Sequence, residues 1–374
     1  MKAIILTITG GQNFGNRLQN FALQEELKKQ GLTVDTVQNL TRAEDEYKIV
    51  TKLKLSIKKI ISTLYYIMPF SNNVEFNNWY RRKKFDKFTK RYISQYYTPI
   101  SDIYVPENID DEYDFFVAGS DQIWNPYYLF NSHIEFMDFA TKSKRISYAA
   151  SFGVDKIPNN KISTYKKWLE EIPNISVREQ RGAEIVEELI GKKASVVVDP
   201  TLLLNGDEWR KIAKKPKWLN KREYILVYLL GVESEELNKK IKIISLRYNL
   251  PVIWLNNPKY KKEYGTDPAE FIYLIDNCRV LCTDSFHGTI FSYNLKTPVA
   301  IFERKLMNGE VAMNSRMNTI KKLFGIDNRV IENIDIDNEA ELFDTQYNEE
   351  KVNDEIEKSR KYLRKVLNKQ CKKD

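Results

Sequence analysis

Cysteine and histidine are scarce in this chain, and each shortage closes off a class of chemistry. The three cysteines are Cys278, Cys282 and Cys371. An odd number with no CxxC pair gives neither a disulfide framework nor a thiolate zinc site, and points to a reducing, cytoplasmic setting. The two histidines, His133 and His287, stand among scattered carboxylates and form no recognisable metal-ligand set. No apolar run is long enough to span a bilayer. The opening MKAIILT is too short an apolar run for a secretory signal and lacks a small-residue cleavage site, so it reads as a strand. There is no repeat of fixed period and no low-complexity tract.

What is present is ordinary for a soluble globular protein. Hydrophobic residues make up 42% of 374 residues and charged residues 29%. The length suggests two domains. The net charge of +8 is not evenly spread. Residues 41–100 hold 13 Lys and Arg against 5 Asp and Glu, which accounts for the whole excess. That argues for one local basic face and against a surface that coats nucleic acid. Within it Leu53, Ile57, Ile60, Ile61, Leu64, Ile67 and Met68 recur at helical spacing among lysines, and the run Trp79 to Phe85 mixes aromatic and basic residues. Two readings stand: a helical insertion packed on its domain, or a helix lying on an anionic membrane face through residues 52–91.

Elsewhere strands and helices alternate. A strand over 4–8, the loop TGGQNFGN, a helix from Leu18 to Leu27 and a strand over 32–37 make a βαβ opening, which calls for a parallel sheet. Strands over 113–118, 145–149, 174–177 and 194–198 follow, each ending in a polar or glycine-containing loop. A second α/β set has strands over 224–230, 251–255, 279–282 and 298–302, with helices over 233–248, 268–277 and 287–294. The expected fold is α/β, with two Rossmann-like domains. They cover 1–205, with a basic helical insertion at about 41–110, and 220–335. A helical tail over 336–374 would pack back on the first.

Ligands of open parallel sheets bind outside the carboxyl ends of the strands, so the strand-end residues are the candidates. In CTDSFHGTIFSYN, Ser285, His287 and Gly288 sit at a strand-to-helix turn. A helix start gathers anions, phosphate above all; glycine admits close approach, and histidine exchanges protons near neutral pH. The alternative there is a plain cap. Asn13, Asn16 and Arg17 give the GGQNFGN loop polar reach. Arg178, directly after a strand, can hold a carboxylate or phosphate with its forked donors or pair with Glu179. Asp121 beside Trp124 offers a carboxylate and an indole for a sugar, or an N-cap. His133 has no supporting pattern.

Seven segments in order, NFGNRLQNFALQ (13–24), AGSDQIWNP (118–126), YAASFG (148–153), ISVRE (175–179), VVDPTLLL (197–204), DSFHGTIFS (284–292) and SRMNTI (315–320), resemble the polysaccharide pyruvyl transferase family. The resemblance implies a fold like the glycosyltransferase-B enzymes, two Rossmann-like domains facing a cleft. It implies transfer of the enolpyruvyl carbons of phosphoenolpyruvate, a co-substrate rather than a cofactor, onto a sugar of a surface polysaccharide or its lipid-linked precursor, giving a pyruvate ketal. His287 would be the catalytic acid or base. Arg178, Ser285, Gly288, Arg316 and Asn16 would bind the donor, with Asp121, Trp124 and Asn13 on the acceptor. The setting would be the cytoplasm, at the inner face of the membrane. Many members carry an arginine two residues before the histidine, where this chain has Ser285; Arg316 and Arg304 are candidates for the missing cation. Two other classes stay open: a nucleotide-sugar glycosyltransferase of the same fold, and a non-catalytic sugar- or membrane-binding scaffold.

Overall fold

The structure is a computed structural model that describes residues 1–41, 74–128, 131–305 and 315–370. The chain divides into two compact units. Unit 1 is Met1–Phe76, Thr89–Leu203 and Glu355–Asp374; unit 2 is Asn77–Phe88 and Leu204–Asp354. Two pieces fall elsewhere than the sequence suggests. Residues 77–88, expected in the first-domain insertion, group with unit 2, and the tail expected as one piece divides at Asp354.

Unit 1 is built on strands β1 (Lys2–Leu6), β2 (Thr33–Val37), β3 (Phe115–Ala118) and β4 (Arg145–Ser147), all parallel, in the order β2-β1-β3-β4. Ala3 to Leu6 are buried without alternation, as a parallel strand covered on both faces requires. β5 (Ser176–Val177) and β6 (Ser195–Val196) pair with each other, and the bridges Ile146 to Asn174 and Ala150 to Val177 join β5 to β4. Helix α1 (Phe14–Lys29) follows β1, and Asn13 caps it by accepting the Gly15 N–H at 2.8 Å.

Helix α2 (Val74–Tyr92) buries Asn77, Arg81, Phe85 and Phe88 at steps of four, four and three. That stripe is what one face of a helix packed on protein shows. The apolar stripe of residues 53–68, the other half of the membrane reading, lies outside the described residues. Helix α3 (Gln180–Ile190) follows β5 and ends on Gly191 in the left-handed conformation, φ 65°.

Unit 2 repeats the plan. Strands β7 (Ile225–Tyr228), β8 (Val252–Leu255), β9 (Val280–Thr283) and β10 (Val299–Ile301) lie parallel in the order β10-β9-β7-β8. Helix α4 (Pro268–Asp276) opens on a capping box, Asp267 accepting from Glu270 N–H and Glu270 from Asp267 N–H. Helices α5 (Phe286–Leu295) and α6 (Ser315–Phe324) follow β9 and β10. In helix α7 (Glu349–Gln370) the part from Glu355 onward is tied into unit 1. Val198 N–H donates to Ser359 Oγ at 2.9 Å, the Tyr362 hydroxyl to Ser147 C=O at 3.1 Å and Arg360 to Leu203 C=O at 2.8 Å.

In each sheet the first strand takes the second on one side and the third on the other. The chain therefore changes direction between β1 and β3 in unit 1 and between β7 and β9 in unit 2. Crevices form outside the carboxyl ends of strands at such switch points.

Trp124 does not serve a ligand. It is fully buried, stacks on Phe136 with centroids 5.2 Å apart and planes 3° apart, and donates its indole N–H to Glu135 C=O at 3.1 Å. Both ring faces and the polar edge are spent on the core, so the expected stacking on a sugar is corrected. Trp124→Ala should lower the stability of unit 1 by about 3–5 kcal/mol; urea unfolding followed by far-UV circular dichroism would show an early loss, and an unchanged midpoint would contradict this placement.

Candidate functional site

The switch point of unit 2 carries the DSFHG turn. Tyr228 ends β7 and pairs with Thr283, which ends β9. Thr283 Oγ donates to Tyr228 C=O at 2.6 Å and accepts from Ser285 N–H at 3.1 Å, which bends the chain out of the strand. The Asp284 carboxylate is buried and accepts the N–H groups of Leu230 and Gly231, each at 2.7 Å. Arg304 faces it, with Nε 3.5 Å from the carboxylate and Nη2 donating to Asp284 C=O at 2.9 Å. Ser285 is the N-cap of α5, its Oγ accepting Gly288 N–H at 3.3 Å. His287 follows in the first turn and is buried.

Gly288 is explained by packing rather than by a ligand. A Cβ there would meet Thr283 Oγ at 2.7 Å, and its N–H is taken by the cap. The donor-binding expectation for Gly288 is corrected on that ground. Arg316 stands at the start of α6 beside Met317, whose sulfur lies 3.7 Å from Thr289 Oγ in the first turns of α5.

The strand ends of unit 1 make a second polar cluster. Arg178 follows β5 with its side chain 2% exposed, and three carboxylates surround it. Asp199 accepts from Nη1 at 2.8 Å, Asp121 lies 3.7 Å from Nη2 and Glu179 3.8 Å from Nε. Burial works against the charge, but Asp199, Asp121 and Glu179 more than offset it and hold the guanidinium pKa above its ordinary value. One cation among three carboxylates repels an anion, so the expectation that Arg178 holds the donor is corrected. Asp199 also accepts from Ser120 Oγ at 2.9 Å and from Thr201, and Glu179 from Ser151 Oγ at 2.7 Å. Asp121 is the most open of the three, with a side chain 11% exposed. It sits at φ 70° in the left-handed region, and so does Ala149 at φ 54°. Such strain in non-glycine residues gathers at sites held by their surroundings.

The first loop makes local hydrogen bonds. Asn13 caps α1, Asn16 C=O accepts from Gln19, and Arg17 donates to Gly10 C=O and Gly11 C=O at 3.4 and 3.3 Å. His133 pairs with Asp138 at 2.6 Å in an exposed position.

The structure thus brings Ser285, His287 and Gly288 together in unit 2, and Arg178 and Asp121 together in unit 1. Sequence reasoning offered Glu179 as a partner of Arg178 but missed Asp199 and Asp121 in that role, and missed Asp284 as the group that fixes the His287 turn. The signal for Asp284 was there, since an acid directly after a strand and before a helix cap has backbone N–H groups within reach.

The polysaccharide pyruvyl transferase family model matches residues 13–305. The chain belongs to that family. It is therefore a transferase, and the match runs through both units' strand-end turns. No curated protein matches the sequence. Among solved structures, a UDP-GlcNAc 2-epimerase of Methanocaldococcus jannaschii in complex with UDP-GlcNAc and UDP is 14% identical, with TM-score 0.47, 98% of this chain and 99% of the other being covered. A putative UDP-N-acetylglucosamine 2-epimerase of Listeria monocytogenes is 10% identical, with TM-score 0.47 and 94% of each chain covered. The N-terminal domain of a Candida albicans trehalose-6-phosphate phosphatase is 11% identical, with TM-score 0.41 over 98% of this chain and 96% of the other.

Removing Arg178 should be costly in stability whatever the substrate. Arg178→Met leaves Asp121, Asp199 and Glu179 without their cation, a loss of about 3–5 kcal/mol. Thermal unfolding measures it; a variant as stable as the parent that no longer binds an anionic donor would restore the ligand role.

Proposed function

We propose that the protein moves the enolpyruvyl group of phosphoenolpyruvate onto two hydroxyls of a saccharide, forming a pyruvate ketal and releasing phosphate. The observation that carries this reading beyond family membership is the position of the His287 turn at the carboxyl-end switch point of the unit 2 sheet. That turn starts a ten-residue helix, with Arg304 bonded to the same turn and Arg316 on the neighbouring helix. A helix start with cations beside it suits a small molecule that bears both a carboxylate and a phosphate.

The chemistry asks for one proton donor and one anion sink. His287 gives a proton to the methylene carbon, which leaves an oxocarbenium-like centre at the adjacent carbon. A saccharide hydroxyl adds there and releases its proton. Phosphate departs, its charge held by the helix start and the arginines, and the second hydroxyl closes the ketal. Asp121, the most open of the three carboxylates around Arg178, is the proposed acceptor contact through a sugar hydroxyl, with Asn13, and Asn16 in the first turn of α1 is a proposed donor contact. Arg82, Lys83 and Lys87 remain exposed on α2 and are proposed to touch the anionic face of the membrane that carries a lipid-linked acceptor. Among the described residues no helix is long and apolar enough to cross a membrane.

Calorimetry with phosphoenolpyruvate and a panel of nucleotide sugars tests the donor. Selective phosphoenolpyruvate binding is expected, with His287→Asn keeping that affinity while ketal formation drops by about 10²–10⁴-fold. Binding of a nucleotide sugar in its place would make the protein a glycosyltransferase, and unaltered turnover in His287→Asn would end the proton-transfer role. Sedimentation with vesicles of phosphatidylglycerol should show binding that weakens as salt rises; no binding at low salt would remove the membrane contact.

A further inference from the structure

Helix α2 delivers one residue whose position neither the family motif nor the reaction accounts for. Arg81 is 1% exposed and belongs to the stretch that groups with unit 2. Its guanidinium lies 4.6 Å over the ring of Tyr264 and donates to Tyr264 C=O at 2.9 Å and to Asn256 Oδ1 at 3.1 Å. Asn256 follows β8 in the left-handed conformation, φ 69°, and passes the contact on. Its own amide donates to Leu229 C=O at 3.0 Å, and the next residue, Leu230, donates its N–H to the Asp284 carboxylate. A continuous path of hydrogen bonds and one peptide unit therefore runs from Arg81 to the residue before Ser285.

A second path runs through Tyr228. This phenol is buried at the end of β7; burial pushes its pKa up, while the charge of Arg81 and a hydrogen bond from the Ser285 side chain act the other way. Gly288 N–H already points at Ser285 Oγ.

We infer that Arg81 is a positioning residue for anion binding at the Asp284–His287 turn, bracing Asn256 and placing a buried positive charge behind the β7 end that holds Tyr228 and Leu230. This rests on the donor reading above, and it takes inorganic phosphate as its probe because both donor classes considered there carry phosphate. Arg81 does not touch the ligand in this arrangement. It acts on the two groups that do the aligning.

Calorimetry with inorganic phosphate, and separately with phosphoenolpyruvate, would be run on the full chain and on Arg81→Met, Arg81→Lys and Tyr228→Phe. Tyr228→Phe deletes one hydroxyl and keeps the ring, so it stays informative if Arg81→Met folds poorly. Expected is a loss of phosphate affinity of about tenfold or more in Arg81→Met, from a charge acting in a poorly screened interior, partial recovery in Arg81→Lys, and a smaller loss in Tyr228→Phe. Thermal unfolding of each variant is recorded alongside. Parental phosphate affinity in both Arg81→Met and Tyr228→Phe, with only a lowered melting temperature, would reduce Arg81 to a packing residue and overturn the inference. So would a parent protein that binds no phosphate. Phosphate binding that depends on Arg81, in a protein that ignores phosphoenolpyruvate, would support the inference while sinking the donor reading.

Discussion

The Asp284 carboxylate ties the ends of two neighbouring parallel strands, and the geometry of the His287 turn depends on that tie. Where β7 stops, the N–H groups of Leu230 and Gly231 no longer run along a strand and turn to a side-chain acceptor. Asp284 takes both. The contact is so close that a Cβ on Gly231 would lie 2.9 Å from the carboxylate oxygen. Glycine is required there by the Lys305 carbonyl, 2.7 Å from such a Cβ, as well as by the aspartate. Arg304 offsets the buried charge, and the backbone that follows is fixed to place Ser285 as the cap and His287 in the first turn. The same carboxylate fills the amide nest of the β7 end, so an external anion is left the helix start rather than the nest.

Unit 1 solves the same topological problem with the opposite charge balance. Its strand order repeats that of unit 2, and its switch point is also bridged by side chains, Thr7 donating to Ser120 C=O and Gln19 to Thr7. The charged group at its strand ends, however, is one arginine inside three carboxylates, whereas the turn in unit 2 has one carboxylate with Arg304 beside it. An anion is repelled by the first and attracted by the second. Two units with one plan therefore differ in what they can hold through charge, not through fold.

Much of this was legible in the sequence, for a physical reason. Parallel strands read as short continuous apolar runs, and a turn residue or cap closes each one, so β1, β3, β7, β9 and the cap at Ser285 follow from pattern. Depth of burial does not. Arg178 after β5 can point into a crevice or back among acids from other strand ends. The string ISVRE is the same in both cases, since Asp121 and Asp199 come from elsewhere in the chain. Trp124 failed likewise: an indole beside an aspartate fits a sugar site, but Phe136 lies in a separate segment. The stripe of Arg81, Phe85 and Phe88 has the spacing that a membrane face would have. Amphipathic spacing says that one side is covered and not what covers it.

Ser285 shows why a motif and a site are different things. A motif is local in sequence, so a serine at the cap reads as a turn without a charge. A site is a set of charges and dipoles in space. In a dry interior the field of a charge is weakly screened and carries over several residues, so the cation need not stand in the turn that uses it. A helix some two hundred positions earlier brings Arg81 over the ring of Tyr264 and onto Asn256. Asn256 directly follows β8, a strand of the sheet that carries the turn. Serine at the cap is then compatible with a positive site, and its oxygen accepts the helix N–H.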